Sequence, residues 1–597
     1  MDSSKSKVGV TVHEQRVREN SNSSNSSNDS IDDHDNDSQS SEESPLLGHD
    51  DSLSDGARKG TDEWNGHEDF EGLPWWKTPS VYWLLPPFFL FALSFGGIIV
   101  PKLNLILSLV CRRYLADRAV VDPSFTFSPV LLGTDNPQCR IPEVQSLVSK
   151  FMLWMTVSTG TLSAVVAPKF GAFSDRYGRL RLLTLTSFGM LLSELFTIFA
   201  ATFPDTIHHK WLLAGALVEG LCGSFTTGMS MAHAYAADVT HPTKRNVAFG
   251  YFSACLFSGI AIGPLIAGYV VKWSGSLITI FYIALGVHIF FILFILICVP
   301  ESLSRKKQLL ARQKYAALIH GTEHEGITWL WALKHGNLFE PLRILWPTGP
   351  GTSGYLRANL VLLAGVDTTI FGVAMGSATV VVYYIGFFFG WETADTNFFI
   401  SLVNSSRVAA LIILLPILNY IFRIRPRNRQ RRESGIVLPE KTSGSDVFEL
   451  SIVRVAILFE ILGYGGYAVA RNGHLFRLAG VFTAFGGLGS PMLSAGLTKH
   501  VPHEKVGQLL GATGLLHALA RIVCPTVFNL IYAGTVGTYP QAVFVVLASC
   551  FFVAFLASWF IRPHVYLDAH AAETGGHASE DDAAAEDAFL DEEIGAY

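Results

Sequence analysis

The residues with the clearest capacity for chemistry form a short turn, Gly171-Ala-Phe-Ser-Asp175-Arg176-Tyr-Gly178-Arg179-Leu-Arg181, caught between two long apolar runs. Three arginines and an aspartate cannot face lipid at reasonable cost, so they belong at a membrane surface. There Asp175 is suited to cap the free amides of a neighbouring helix N-terminus, where the helix dipole favours an anion. Arg179 is suited to pair with Asp238, at the end of the fourth apolar run. Such a cluster can latch two bodies together in one state and release them in another. The plainer alternative, positively charged membrane anchors, would require neither the aspartate nor the glycines.

A second group of ionisable residues lies at bilayer depth. Asp367 is about ten residues, or roughly 15 Å, into the seventh run, and Arg407 is about as deep in the eighth from the other side. The expectation is a salt bridge between them that protonation of Asp367 would break, either as a coupling element or as a permanent structural pair. Glu219 in the fourth run is a comparable acid in the first half of the chain. Arg521 in the eleventh could meet an anionic solute. In the fifth run Gly259, Gly263, Pro264 and Gly268 are set for close helix approach and a bent backbone, with packing and coupling both open.

The elements that must position these residues follow from composition. Apolar residues make up 49% of the chain and charged ones only 16%, the balance of an integral membrane protein. Residues 1–75 carry 18 acidic against 6 basic residues and residues 563–597 carry 10 acidic and none basic, which leaves the body basic. From residue 80 onward there are twelve apolar runs of spanning length: 83–108, 146–170, 181–203, 211–235, 247–271, 277–299, 358–388, 397–421, 447–470, 475–498, 506–533 and 540–561. The fold expected is all-α, with twelve transmembrane helices.

Lys and Arg orient the spans. Loop 2–3 holds Arg176, Arg179 and Arg181, loop 4–5 holds Lys244 and Arg245, and loop 8–9 holds six arginines from Arg423 to Arg432, whereas the alternate loops hold one base or none. This places both termini in the cytosol. Arg112, Arg113 and Arg118 after the first span run against the trend. The division is then 1–79, an acidic disordered tail; 80–302, six spans; 303–355, a polar linker; 356–562, six more spans; and 563–597, a second acidic disordered tail. Sliding the chain by 261 residues places Gly250 and Pro264 on Gly511 and Pro525, and Ala234 and Lys244 on Ala495 and Lys505, as two related halves would require.

Several functions are excluded or find no support. There is no phosphate-binding G-x-x-x-x-G-K-[ST] loop, no metal-ligand spacing and no catalytic triad. His233, His288 and His517 stand singly and read as packed residues. Of seven cysteines, five lie in apolar runs. Cys111 and Cys139 flank a polar loop, with a disulfide and two free thiols both open. In the tail, Glu42-Glu-Ser-Pro-Leu46-Leu47 resembles an acidic dileucine sorting signal read by an adaptor, which would favour the vacuolar over the plasma membrane. The alternative is an ordinary spacer.

The turn at 171–181 resembles the loop 2–3 signature of the major facilitator superfamily, G-x-x-x-D-R-x-G-R, at Gly171, Asp175, Arg176, Gly178 and Arg179. Gly259-Ile-Ala-Ile-Gly263-Pro264-Leu-Ile-Ala267-Gly268 resembles its antiporter signature, and Pro300-Glu301-Ser302 closes the sixth span as in that family. Details such as Ala-Tyr-Ala-Ala-Asp238-Val-Thr look closest to the fungal vacuolar and tetracycline-resistance-like branch, and the Lys499 to Tyr532 stretch is similar to animal proton-coupled folate transporters. The departure is Ala216-Leu-Val-Glu219-Gly220, where drug antiporters carry R-x-x-Q-G. The resemblance implies two pseudo-symmetric six-helix bundles, no enzymatic activity and no cofactor, and a secondary transporter of a small organic solute working by alternating access with protons. Its partners would be solute, protons and lipid, with no nucleic acid. It also implies that Glu194 and Glu460, on peripheral third and ninth spans, are structural. A non-transporting receptor or sensor is the rival reading.

Overall fold

The computed structural model describes residues 70–566 apart from 71, 123, 131, 133–135, 140, 321–339, 349–351, 392 and 435–443. Glu42, Leu46 and Leu47 lie outside the described residues. Among the described residues, ten helices are long and apolar enough to cross a membrane. Two more complete the twelve: Val447–Val469, which carries Glu449, Arg454 and Glu460, and the shorter Ala542–Ser558. Helix starts are written in the sequence. Ser80, Ser353, Asp446 and Asn472 each accept a backbone N–H from the first turn of spans one, seven, nine and ten. Gly275 and Gly390 end spans five and seven in the left-handed conformation. Side chains such as Ile297 and Val553 stay exposed along spans six and twelve, as lipid-facing residues must.

The second half packs around one continuous apolar core that includes Leu360, Tyr384, Phe476 and Phe544. The first half has two cores, one around Phe88, Tyr235 and Phe249 and one around Leu105, Cys111 and Phe281. Below, the face that bears loops 2–3, 4–5 and 8–9 is called the basic face. On the opposite face Cys111 and Cys139 are disulfide-bonded. The three bases there that run against the orientation trend all have local partners: Arg112 pairs with Asp205, Arg113 with Asp117, and Arg118 lies over the Phe125 ring.

Two expected spans are not continuous. Span four is a pair of half-helices, Trp211–Leu221 and Ser224–Val239, and span ten another pair, Gly473–Gly486 and Gly489–Thr498. Gly223 and Ser224 sit at φ +92° and +60° in the first break, a region that costs a non-glycine residue such as Ser224 energy and persists only where the surroundings impose it.

The span-five glycines pack against span one inside the first half. A Cβ on Gly259 would run into the Ala92 carbonyl, and one on Gly263 would come to 2.6 Å from the Gly97 amide nitrogen. Gly268 departs from its expected packing role, because a Cβ there would meet nothing within 4 Å. Pro264 is accommodated within the single helix Arg245–Ser274. Gly259→Ala is therefore expected to lower the melting temperature and the yield of monodisperse protein, overpacking of this kind costing about 1–3 kcal/mol. Gly268→Ala should leave both unchanged, and equal effects would refute the assignment.

Candidate functional site

The turn between spans two and three closes on itself and on the other half. Arg179 Nη1 lies 2.5 Å from Asp175 Oδ1 and its Nε 2.9 Å from Asp238 Oδ2, with all three side chains buried. Asp175 also accepts the backbone N–H groups of Gly507 and Gln508 at 3.1 and 3.0 Å. These are among the first residues of span eleven, Val506–Thr535, so a carboxylate of one half caps a helix of the other. Glu301 accepts the N–H groups of Arg179 and Leu180 at 2.9 and 3.1 Å and so caps span three. Burial pushes the Glu301 carboxyl above its ordinary range, although those amides favour its charge. Ser302 Oγ donates to Asp238 at 3.0 Å.

The glycines of the turn make this closure sterically feasible. A Cβ on Gly171 would strike the Gly507 carbonyl, and one on Gly507 would strike both Arg179 and Asp175. Gly178 has φ +100° with the Glu301 carboxylate against it. Arg176 does something else. Its guanidinium lies 3.8 Å over the Tyr315 ring while Arg312 lies 4.6 Å over Tyr177, so it holds the linker helix Arg305–His320. Arg181 is exposed.

A counterpart cluster lies in the second half, where the sequence suggested only orienting charges. Lys499 Nζ is 2.6 Å from Glu449 Oε1, and Arg423 pairs with Asp446 and reaches Glu449 at 3.7 Å. Burial opposes the charge on Asp446, but Lys499 and Arg423 outweigh it and hold that carboxyl below its ordinary range. Arg423 Nη1 donates to the Thr243 carbonyl at 2.6 Å, and the fully buried Arg245 reaches Thr498 Oγ1 at 3.4 Å. Both bonds cross between halves at the basic face.

At bilayer depth the expected Asp367–Arg407 pair does not form. Asp367 Oδ2 is 3.0 Å from His517 Nε2, with Ser490 Oγ donating to Oδ1 at 3.4 Å. Arg407 instead faces Glu460, 4.0 Å away, and lies over the Phe257 ring of the first half. The reason is packing: spans seven and eight are consecutive but scarcely touch, span seven lying against spans ten, eleven and twelve and span eight against spans five and ten. Gly486 and Gly487, at the break in span ten, leave the room that Glu460 and Arg407 occupy. Glu460 and its counterpart Glu194 each hold a cation, the latter Lys102 at 3.1 Å. His517 is thus a paired residue and not merely a packed one. Glu219 accepts hydrogen bonds from Ser224 at 3.0 Å and Ser193 at 3.5 Å, and Arg521 Nη1 reaches Ser224 Oγ at 3.5 Å.

Twelve helices in two bundles, joined at one face by a charged cluster and carrying ionisable groups at mid-depth, are the arrangement of a membrane transporter. The family model described as "Major Facilitator Superfamily" matches residues 142–438. The MFS-type transporter avaJ of Aspergillus versicolor is 32% identical, over 81% of this chain and 89% of its own length. The proton-coupled folate transporter of Rattus norvegicus is 23% identical over 68% of this chain and 77% of its own. The crystal structure of the human organic anion transporter MFSD10 (TETRAN) superposes with a TM-score of 0.57 at 18% identity, covering 80% of this chain and 98% of that one, a likeness of fold. The chain belongs to the major facilitator superfamily.

Proposed function

We propose that this chain is a secondary transporter that moves a small organic solute by alternating access and couples the movement to protons. The observation that carries alternating access is the latch: Asp175 of the first half holds the start of span eleven of the second while bound to Arg179, a contact that must break for the basic face to open. Proton coupling is assigned to the buried Asp367–His517 pair, and the name of the rat relative supports it. The basic face is the cytosolic one in this reading. The disulfide on the opposite face agrees, since such bonds persist in oxidising lumenal or external compartments.

The test is reconstitution of the full chain into proteoliposomes under an imposed pH gradient, with uptake from a metabolite mixture read by mass spectrometry. Accumulation of at least one solute above protein-free vesicles, collapsing with the gradient, is expected. If no solute accumulates, the transport reading falls.

The vacuolar membrane is the proposed location, on the strength of Glu42, Leu46 and Leu47. Replacing Leu46 and Leu47 together by Ala should shift a fluorescently tagged protein to the cell surface with turnover unchanged. Retention on the vacuole would remove the signal's role.

A further inference from the structure

Arg521 places a guanidinium at bilayer depth with no carboxylate partner among the described residues. Its hydrogen bond is a long one, 3.5 Å to Ser224 Oγ across the boundary between halves. An unmatched charge at that depth marks a ligand site by default. Ser224 begins the half-helix Ser224–Val239, whose N-terminus has no side-chain cap and is therefore an unspent set of N–H donors with a favourable dipole. One turn in, Thr227 Oγ1 is fully buried without a hydrogen-bond partner, and it lies over the break, 2.9 Å from where a Cβ on Gly223 would sit. The guanidinium reaches the first residue of the half-helix and the unsatisfied hydroxyl lies over the break just before it, and both suit an oxyanion.

Glu219 is the occupant that must leave. It holds Ser224 at 3.0 Å, so an incoming anion and the Glu219 carboxylate compete for the same donor. Around Glu219 stand Ser193 of span three, Lys102 of span one with its own partner Glu194, His288 of span six and Arg521 of span eleven. We propose that Arg521 and the start of the Ser224–Val239 half-helix bind an acidic group of the transported solute, a carboxylate or a phosphate, which displaces the Glu219 carboxylate from Ser224. The proposal rests on the transport reading and adds the class of solute.

The test uses the purified full chain and follows melting temperature with benzoate, inorganic phosphate and the neutral benzamide at matched ionic strength and neutral pH. At least one of the two anions should raise the melting temperature by a few degrees, while benzamide does not. The anion with the larger shift identifies the acidic group. Arg521→Gln should abolish the shift and Arg521→Lys keep part of it. Glu219→Gln should enlarge the shift, because it removes the negative charge that competes with the anion for Ser224. Equal shifts from benzoate and benzamide, no shift from either anion, or a shift that survives in a folded Arg521→Gln variant would overturn the subsite. Solute flux in proteoliposomes without any anion shift sinks the subsite alone, whereas an intact shift without flux sinks the transport reading alone.

Discussion

Asp175→Asn is expected to leave the protein inserted and folded while reducing transport by roughly two orders of magnitude. The substitution removes the charge that Arg179 faces at 2.5 Å and weakens the cap on Gly507 and Gln508. The Asp175–Arg179 pair lies within the first half, so its loss is common to both states. The weakened cap on Gly507 and Gln508 falls on the closed state alone, because only there does span eleven lie against the turn; hydrogen bonds to a charged group are worth about 1.5–3 kcal/mol. A bias of about 3 kcal/mol moves a balanced two-state equilibrium to about 99% open. Spin labels on the basic ends of spans two and eleven should therefore report longer separations, alongside the lost uptake. Arg181→Gln is the control, since Arg181 is exposed on the same turn. Equal loss from both variants, or normal uptake by Asp175→Asn, would reduce the turn to an anchor.

Much of this latch could be read from residue types and spacing. The glycines, Asp175 and Arg179 announced a tight charged turn, and Asp238 was in register at the end of the fourth span. What spacing did not reveal was the receiving surface, because a backbone amide such as that of Gly507 has no sequence signature of its own. The counterpart cluster also leaves a trace in the sequence. The same 261-residue slide that matches Ala234 to Ala495 sets Asp238 on Lys499, exchanging acid for base, and Lys499 pairs with an acid of span nine as Asp238 pairs with a base of span three.

Span boundaries were legible because a helix that is apolar all round shows its length directly. The breaks in spans four and ten were not, since Cys222-Gly223 and Gly486-Gly487 also suit an unbroken membrane helix, where glycine is common. The mid-depth pairing failed for a related reason. Depth along a span follows from counting residues, but the direction a side chain faces depends on which helices are neighbours, and consecutive spans seven and eight are not.

That correction sharpens the test of proton coupling. Asp367 is almost fully buried, and its partners are His517 and Ser490, both in the second half, with His233 of the first half near enough to feel its field. His233 Nε2 has no hydrogen-bond partner. With a proton on the imidazole the Asp367–His517 pair is neutral, and without it the pair carries one negative charge at bilayer depth. Asp367→Asn should therefore abolish the dependence of transport on a pH gradient while sparing solute exchange. His517→Gln should be more damaging, because it strands a buried carboxylate with only the Ser490 hydroxyl at 3.4 Å. Adding Asp367→Asn to His517→Gln should then recover exchange by removing the stranded charge, a non-additive pattern that two independent residues would not produce. Arg407→Gln should leave the gradient dependence in place, since its guanidinium faces Glu460 and Phe257 and not Asp367. A gradient response that survives in Asp367→Asn would make the pair structural and turn attention to Glu219.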